Sequence, residues 1–158
     1  MNLESKTVQG YEFINIAEAY ICTTGLDVTH EGRKFKWHIA LDIDEKWLQA
    51  EQSTYLIYEN EKLVYAGYYS DTFQKRWRLK RKKYIWHSDN IDDNIKKSLD
   101  NKKSITVWLS LNPYIETINI SKHIEDDIIK NILNNDDNWN TVGKTKTDAK
   151  KVIDLFNK

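Results

Sequence analysis

Two runs of aromatic and branched apolar residues, separated by four polar ones, constrain this chain more than any other feature. Residues 54–58 read TYLIY, residues 59–62 read ENEK, and residues 63–69 read LVYAGYY. β-branched and aromatic residues on both sides of a short polar connection predict a β-hairpin. Tyr55 and Tyr65 stand ten apart on its two arms, with Gly67 just beyond. An odd-numbered loop places the two tyrosines on one face and an even-numbered loop splits them. Gly inside a strand marks a close approach of a ligand or of another chain segment.

The rest of the chain is organised around that hairpin. Upstream, the pattern predicts a short helix near 15–21, a strand over 33–41 (RKFKWHIAL) and a short helix over 44–52. Alternation in 33–38 sets Arg33, Phe35 and Trp37 against Lys34, Lys36 and His38, which suits an edge strand beside a nucleic acid or an ordinary strand with one wet face. Downstream, Ser70 is placed to cap a helix starting at Asp71, on which Phe73, Trp77, Lys80 and Tyr84 recur at helical spacing with Arg76 one row aside. A polar helix over 88–101, a strand over 104–111, a helix from Ser121 to about Asn134 and a last helix near 146–157 follow. This order predicts an α+β domain with a small, mostly antiparallel sheet flanked by helices. Residues 1–52 read as an N-terminal extension, 53–142 as the core and 143–158 as a helix packed on it.

A length of 158 residues fits one domain. One Pro and five scattered Gly leave no linker-like tract, and no apolar run is long enough to span a bilayer, so the chain reads as soluble and cytoplasmic with no membrane partner. A single cysteine, Cys22, excludes an internal disulfide and a thiolate-rich zinc site, leaving a hard, carboxylate-bound ion as the expected kind of metal. The formal charge is zero, yet the charges are segregated. Residues 75–83 hold seven Lys/Arg and no acid, while 1–51 hold nine acids against five bases. A phosphate ligand responds to such a local basic patch, although a solvated helix face has the same composition.

Helix 121–134 places Ile124, Ile128, Ile129, Ile132 and Leu133 on one stripe and sets Glu125 near its centre, with Asp126 and Asp127 turned away. An ionised carboxylate on a buried face is costly unless paired or bound to a metal. Glu125 therefore either reaches out from the stripe's edge or pairs with a Lys, or else it ligates a metal or is otherwise paired.

Taken in order, these features resemble the GIY-YIG nuclease superfamily. Ser53-Thr54-Tyr55 stands at the first motif, Tyr65-Ala66-Gly67 at the second, Arg76 on the following helix, Glu125 on a later helix, and Asn138-Trp139-Asn140 at the closing segment. Ser53-Thr54 replaces the usual Gly-Ile. The family often has a His four residues after the Arg, where this chain has Lys80; His87 is the nearby imidazole, and which of the two takes that role stays open.

The resemblance implies hydrolysis of a phosphodiester in double-stranded DNA. Tyr55 would be the general base, although only about one free tyrosine in a thousand is ionised at pH 7, so Arg76 and Lys80 would have to favour its phenolate. Tyr65 would hydrogen-bond the nucleophile or phosphate and Arg76 would bind the scissile phosphate. Glu125 would hold one Mg²⁺ (or Mn²⁺), with Asn140, or Asn138, supporting the metal side. Arg33, Lys34, Lys36, Lys75, Arg78, Arg81, Lys82 and Lys83 are the candidates for contacting DNA. A compact chain of this kind looks like a type II restriction endonuclease, and cutting both strands of a palindrome implies a homodimer. The competing readings are a non-catalytic nucleic-acid-binding module and a repair or mobile-element nuclease of the same family.

Overall fold

The computed structural model describes residues 3–23, 29–30, 33–34, 37–79, 84–85, 89–135 and 137–140. The predicted helix near 146–157 lies outside them. Eleven strands occur among the described residues: β1 (Ser5–Val8), β2 (Tyr11–Cys22), β3 (Thr29–His30), β4 (Arg33–Lys34), β5 (His38–Ile43), β6 (Glu51–Glu59), β7 (Lys62–Thr72), β8 (Tyr84–Ile85), β9 (Ile105–Ser110), β10 (Tyr114–Ile115) and β11 (Ile118–Asn119). The helices are α1 (Phe73–Arg76), α2 (Asp89–Asp100) and α3 (Ser121–Asn131).

A seven-stranded sheet runs in the order β7-β6-β9-β2-β5-β8, with β1 paired to β2. Its pairings are antiparallel, so the α+β class holds, but the sheet is larger than the small one expected. The reason is β2. Residues 15–21, expected to be helical, lie in the middle of a strand hydrogen-bonded to β5 on one side and β9 on the other. Ala and Glu favour helices in isolation, but a central strand with partners on both sides overrides that preference. Residues read as an N-terminal extension thus contribute β1, β2 and β5 to the same sheet as the hairpin. The helix expected over 44–52 is a single 3₁₀ turn, Glu45–Trp47, before β6 begins.

The predicted hairpin is β6–β7, and a bulge sets its faces. The register shifts between Ile57 and Tyr58, so that Tyr58 faces Leu63 while Ile57 faces Tyr65 and Tyr55 faces Gly67. The extra residue, Val64, flips the parity of the loop and brings Tyr55 and Tyr65 onto one face.

The expected helix from Asp71 is cut short at both ends. β7 continues through Ser70 and Asp71, and Thr72 takes over as cap, its hydroxyl accepting from the Lys75 N–H at 3.2 Å. After one turn, Arg78 adopts a left-handed φ of 49° and Leu79 N–H donates back to Gln74 O at 3.0 Å, which closes the helix. Tyr84, expected on that helix, lies instead in β8.

Two apolar layers enclose the sheet. On one face Tyr55, Ile57, Tyr69, Phe73, Trp77, Leu109, Ile91 and Ile95 form the larger core with α1 and α2. On the other, Leu56, Tyr58, Ala66 and Trp108 meet Ile124, Ile128, Ile129 and Leu133 of and just after α3. Thr54 fastens α3 to the hairpin, its buried hydroxyl donating to Ser121 O at 2.6 Å.

Candidate active site at the β7 edge

Tyr55 is completely buried and lies in an aromatic cluster, with ring centroids 5.3 Å from Trp77, 5.9 Å from Tyr65, 6.4 Å from Tyr69 and 6.5 Å from Phe73. Its ring leans over the neighbouring strand. A Cβ at Gly67 would lie 2.5 Å from the Tyr55 hydroxyl, so only glycine at this ladder position lets the phenol reach toward the outer edge of the sheet. Tyr55 and Tyr65 are joined through their side chains by a hydrogen bond, and the Arg76 guanidinium sits 5.8 Å from the Tyr55 ring centroid. Burial pushes the Tyr55 phenol well above its ordinary value; Tyr65 adds to the rise, Arg76 opposes it, and Glu125 contributes a smaller rise.

Glu125 approaches from the opposite face. On α3, Ile124, Ile128 and Ile129 are buried, Glu125 is half-buried and Asp126 is exposed, as the helical pattern predicts; Asp127 departs from it by accepting a hydrogen bond from Tyr11 at 3.1 Å. The Glu125 carboxylate accepts the main-chain N–H of Tyr68. Burial, reinforced by Asp126, lifts its pKa to about 7, against the pull of Lys122, the Tyr68 N–H and Arg76. Lys122, not among the residues expected at the site, lies 5.3 Å from the Tyr68 ring centroid and 3.6 Å from Asp126; its position one turn before Glu125 was the available signal.

β7 is an edge strand, and no further strand covers it among the described residues. Its outward groups are taken one after another by other parts of the chain. Val64 O accepts from Trp139 N at 2.7 Å, Ala66 N donates to Asn140 Oδ1 at 2.9 Å, Asn140 Nδ2 donates to Ala66 O at 2.7 Å, and the Tyr68 N–H donates to Glu125. Asn138 completes the strap by accepting from Asn140 N at 3.0 Å and donating to Leu133 O at 2.8 Å. Asn140 and Glu125 therefore occupy successive outward positions along one strand, about 7 Å apart. Asn140 is buried with both ends of its carboxamide spent on Ala66, so it acts on the site by holding β7.

Tyr55, Tyr65, Arg76 and Glu125 thus gather about one stretch of β7, two tyrosines and the arginine from one face and the glutamate from the other. Of the basic candidates, Lys75 is exposed and ion-paired with Asp71 at 2.8 Å, and Arg78 is exposed at the end of α1. Arg33 and Lys34 form β4, paired with β3. Lys36, Lys80, Arg81, Lys82, Lys83 and His87 lie outside the described residues.

Among the described residues no group of three or more His, Cys, Asp or Glu comes together. Glu125 supplies one half-buried carboxylate at this edge, and one or two carboxylates are what a Mg²⁺ ion that keeps several of its waters requires of a protein. No protein-family model, curated protein or solved structure matches this chain.

Proposed function

We propose that the protein is a metal-dependent DNA endonuclease of the GIY-YIG kind, acting at the β7 edge. The observation that carries this reading is the meeting of Glu125 with Arg76 and Tyr55 across one edge strand, where Arg76 is close enough to pull down the pKa of both the Tyr55 phenol and the Glu125 carboxyl, and Glu125 close enough to raise that of the phenol. An acid held inward near a guanidinium and a phenol suits a phosphate substrate with a cation between acid and phosphate.

In this reading Arg76 binds the scissile phosphate and stabilises the charge that develops on it. A Mg²⁺ ion held by Glu125 would supply Lewis acidity at the phosphate oxygens. The general-base role expected for Tyr55 does not suit a phenol that is 0% exposed and held protonated by its surroundings. Tyr55 instead orients Tyr65 through their hydrogen bond, and Tyr65, half-buried at the rim, meets the attacking water. Asn140 keeps β7 in register beneath them. Lys75 and Arg78 extend the contact along the DNA backbone, and two copies would cut both strands of a palindromic site.

Incubation of the purified protein with a complex DNA, with Mg²⁺ and with EDTA, tests the proposal. Discrete Mg²⁺-dependent fragments, lost in Glu125→Ala while the variant still binds DNA, are the expected result and mark a restriction enzyme. Mg²⁺-dependent degradation to a smear keeps the nuclease and removes the site specificity. Intact DNA that shifts on a gel in the wild type supports the non-catalytic binding module instead.

A further inference from the structure

A cation stands over a tyrosine ring on each face of the hairpin beside β7. Alternation along β7 sends Tyr65, Gly67 and Tyr69 to the side of the larger core and Ala66 and Tyr68 to the side of α3. On the first side the Arg76 guanidinium lies 5.8 Å from the Tyr55 ring centroid. On the second, Lys122 Nζ lies 5.3 Å from the ring centroid of the half-buried Tyr68.

Lys122 has no part in the roles assigned above, yet it belongs to the same edge. It precedes Glu125 by three residues on one flank of α3, and the tyrosine beneath its ammonium is the residue whose main-chain N–H donates to Glu125. Burial is the chief cause that lifts the Glu125 carboxyl, and Asp126 adds to it; of the groups that pull the other way Lys122 is the strongest, ahead of the Tyr68 N–H and Arg76. The ion pair of Lys122 with Asp126 is 3.6 Å long between side chains 64% and 58% exposed. An exposed pair of that length, one turn apart on a helix, holds a lysine only weakly and gives way to a stronger anion. The tyrosine ring does more, since an aromatic face under the ammonium restrains an otherwise mobile side chain and leaves its charge open to a ligand.

Arg76, Lys75 and Arg78 all stand on or beside α1, so the cations assigned to the DNA backbone so far lie on one side of the β7 edge. A scissile phosphate has nucleic-acid chain on both sides of it, and phosphate contacts are what fix the register of that chain. Contacts on one side alone leave the other half of the strand free to swing away from the in-line geometry.

We propose that Lys122, held over the Tyr68 ring, binds the backbone phosphate next to the scissile one, on the opposite side of it from Lys75 and Arg78. This role rests on the nuclease reading for its substrate and adds a residue that holds it. Lysine acts there as a point charge, whereas Arg76 grips the scissile phosphate with a planar fork.

Binding of a short duplex DNA without divalent metal, followed by fluorescence anisotropy between about 50 and 200 mM salt, tests the proposal. Lys122→Ala should weaken binding about tenfold at the lower salt and flatten the slope of log K against log salt by about 0.9, the loss of one phosphate contact. Lys122→Arg should keep both close to wild type. Lys130→Ala removes the same charge about 12 Å further along α3 and should leave the slope unchanged. Both lysines are exposed, so neither change disturbs the core. An unchanged slope in Lys122→Ala overturns the proposal, and so does equal flattening in Lys130→Ala, which would mark a diffuse charge effect. Addition of Mg²⁺ to the same samples separates this role from the activity it rests on. Cleavage by the wild type upholds the nuclease; DNA that is bound but stays intact removes the nuclease, and the slope alone then decides whether Lys122 contacts phosphate. If the wild type binds no duplex DNA, both are overturned.

Discussion

The Tyr55 hydroxyl fills the space that a side chain at residue 67 would need, since a Cβ there would stand 2.5 Å from the oxygen and 2.6 Å from the ring carbon that bears it. The ring cannot retreat, because Trp77, Phe73 and Tyr69 enclose it on the other sides. Gly67→Ala should therefore overpack the cluster and cost about 1–3 kcal/mol. Urea denaturation reads this as a lower midpoint at unchanged slope. The double variant Gly67→Ala with Tyr55→Phe should recover part of the loss by removing the clashing oxygen. Equal stability of wild type and Gly67→Ala would show that the phenol does not press on β7.

Asn140 bonds both the N–H and the C=O of Ala66 from a buried position, replacing the neighbouring strand that an edge lacks. Asn140→Ala leaves two buried main-chain groups unsatisfied, at about 1–3 kcal/mol for each. Asn140→Asp keeps an acceptor for the Ala66 N–H but sets a carboxylate against the Ala66 carbonyl, so it should not restore stability. Hydrogen exchange at Ala66 and Tyr68 should quicken in both variants. Unchanged exchange at Ala66 in Asn140→Ala would show that the strap does not hold the site.

How much of the fold and site was legible in the sequence depends on the range of the interactions involved. The β6–β7 hairpin, α2, β9 and α3 were visible because their patterns are local and periodic. The inward lean of Glu125 was visible for the same reason. β2 was not, since Ala17, Glu18 and Ala19 favour a helix and only the pairing with β5 and β9 makes them a strand. The shared face of Tyr55 and Tyr65 was undecidable from loop length, because the bulge at Val64 changes the parity. The helix after β7 was overextended for want of any signal that Arg78 would turn left-handed. The link between Tyr68 and Glu125 uses a main-chain N–H, which no side-chain motif records.

Burial distinguishes the two tyrosines of the proposed site. Tyr55 is enclosed and its phenol is pushed well above the ordinary range, whereas Tyr65 is half-buried at the rim. Tyr65→Phe should lower the single-turnover cleavage rate by about 10²–10⁴-fold, the range for losing a group that handles the proton. Tyr55→Phe removes only the hydrogen bond that orients Tyr65 and should cost about tenfold or less. If Tyr55→Phe proved the more damaging change, the proton would pass through the buried phenol and the roles of the two tyrosines would be reversed.

Glu125 connects stability, pH and metal. Its carboxyl is lifted from an ordinary 4.5 to about 7, chiefly by burial, so between those values the folded chain holds a proton that the unfolded chain has released. Stability from this group must then fall as pH rises from about 4.5 to about 7 and level off above, because the native state binds the additional proton. Glu125→Gln carries no such proton and lacks this slope, so its stability relative to wild type should improve across that window. In the proposed site Mg²⁺ would compete for the same oxygens. Its apparent affinity should drop toward tenfold per unit below pH 7, and Mg²⁺ should raise the melting temperature of the wild type but not of Glu125→Gln. Thermal melts of both proteins from pH 4 to 8, with and without Mg²⁺, measure all of these effects. A stability difference independent of pH would remove the raised carboxyl, and an equal Mg²⁺ response in both proteins would remove Glu125 as the metal ligand.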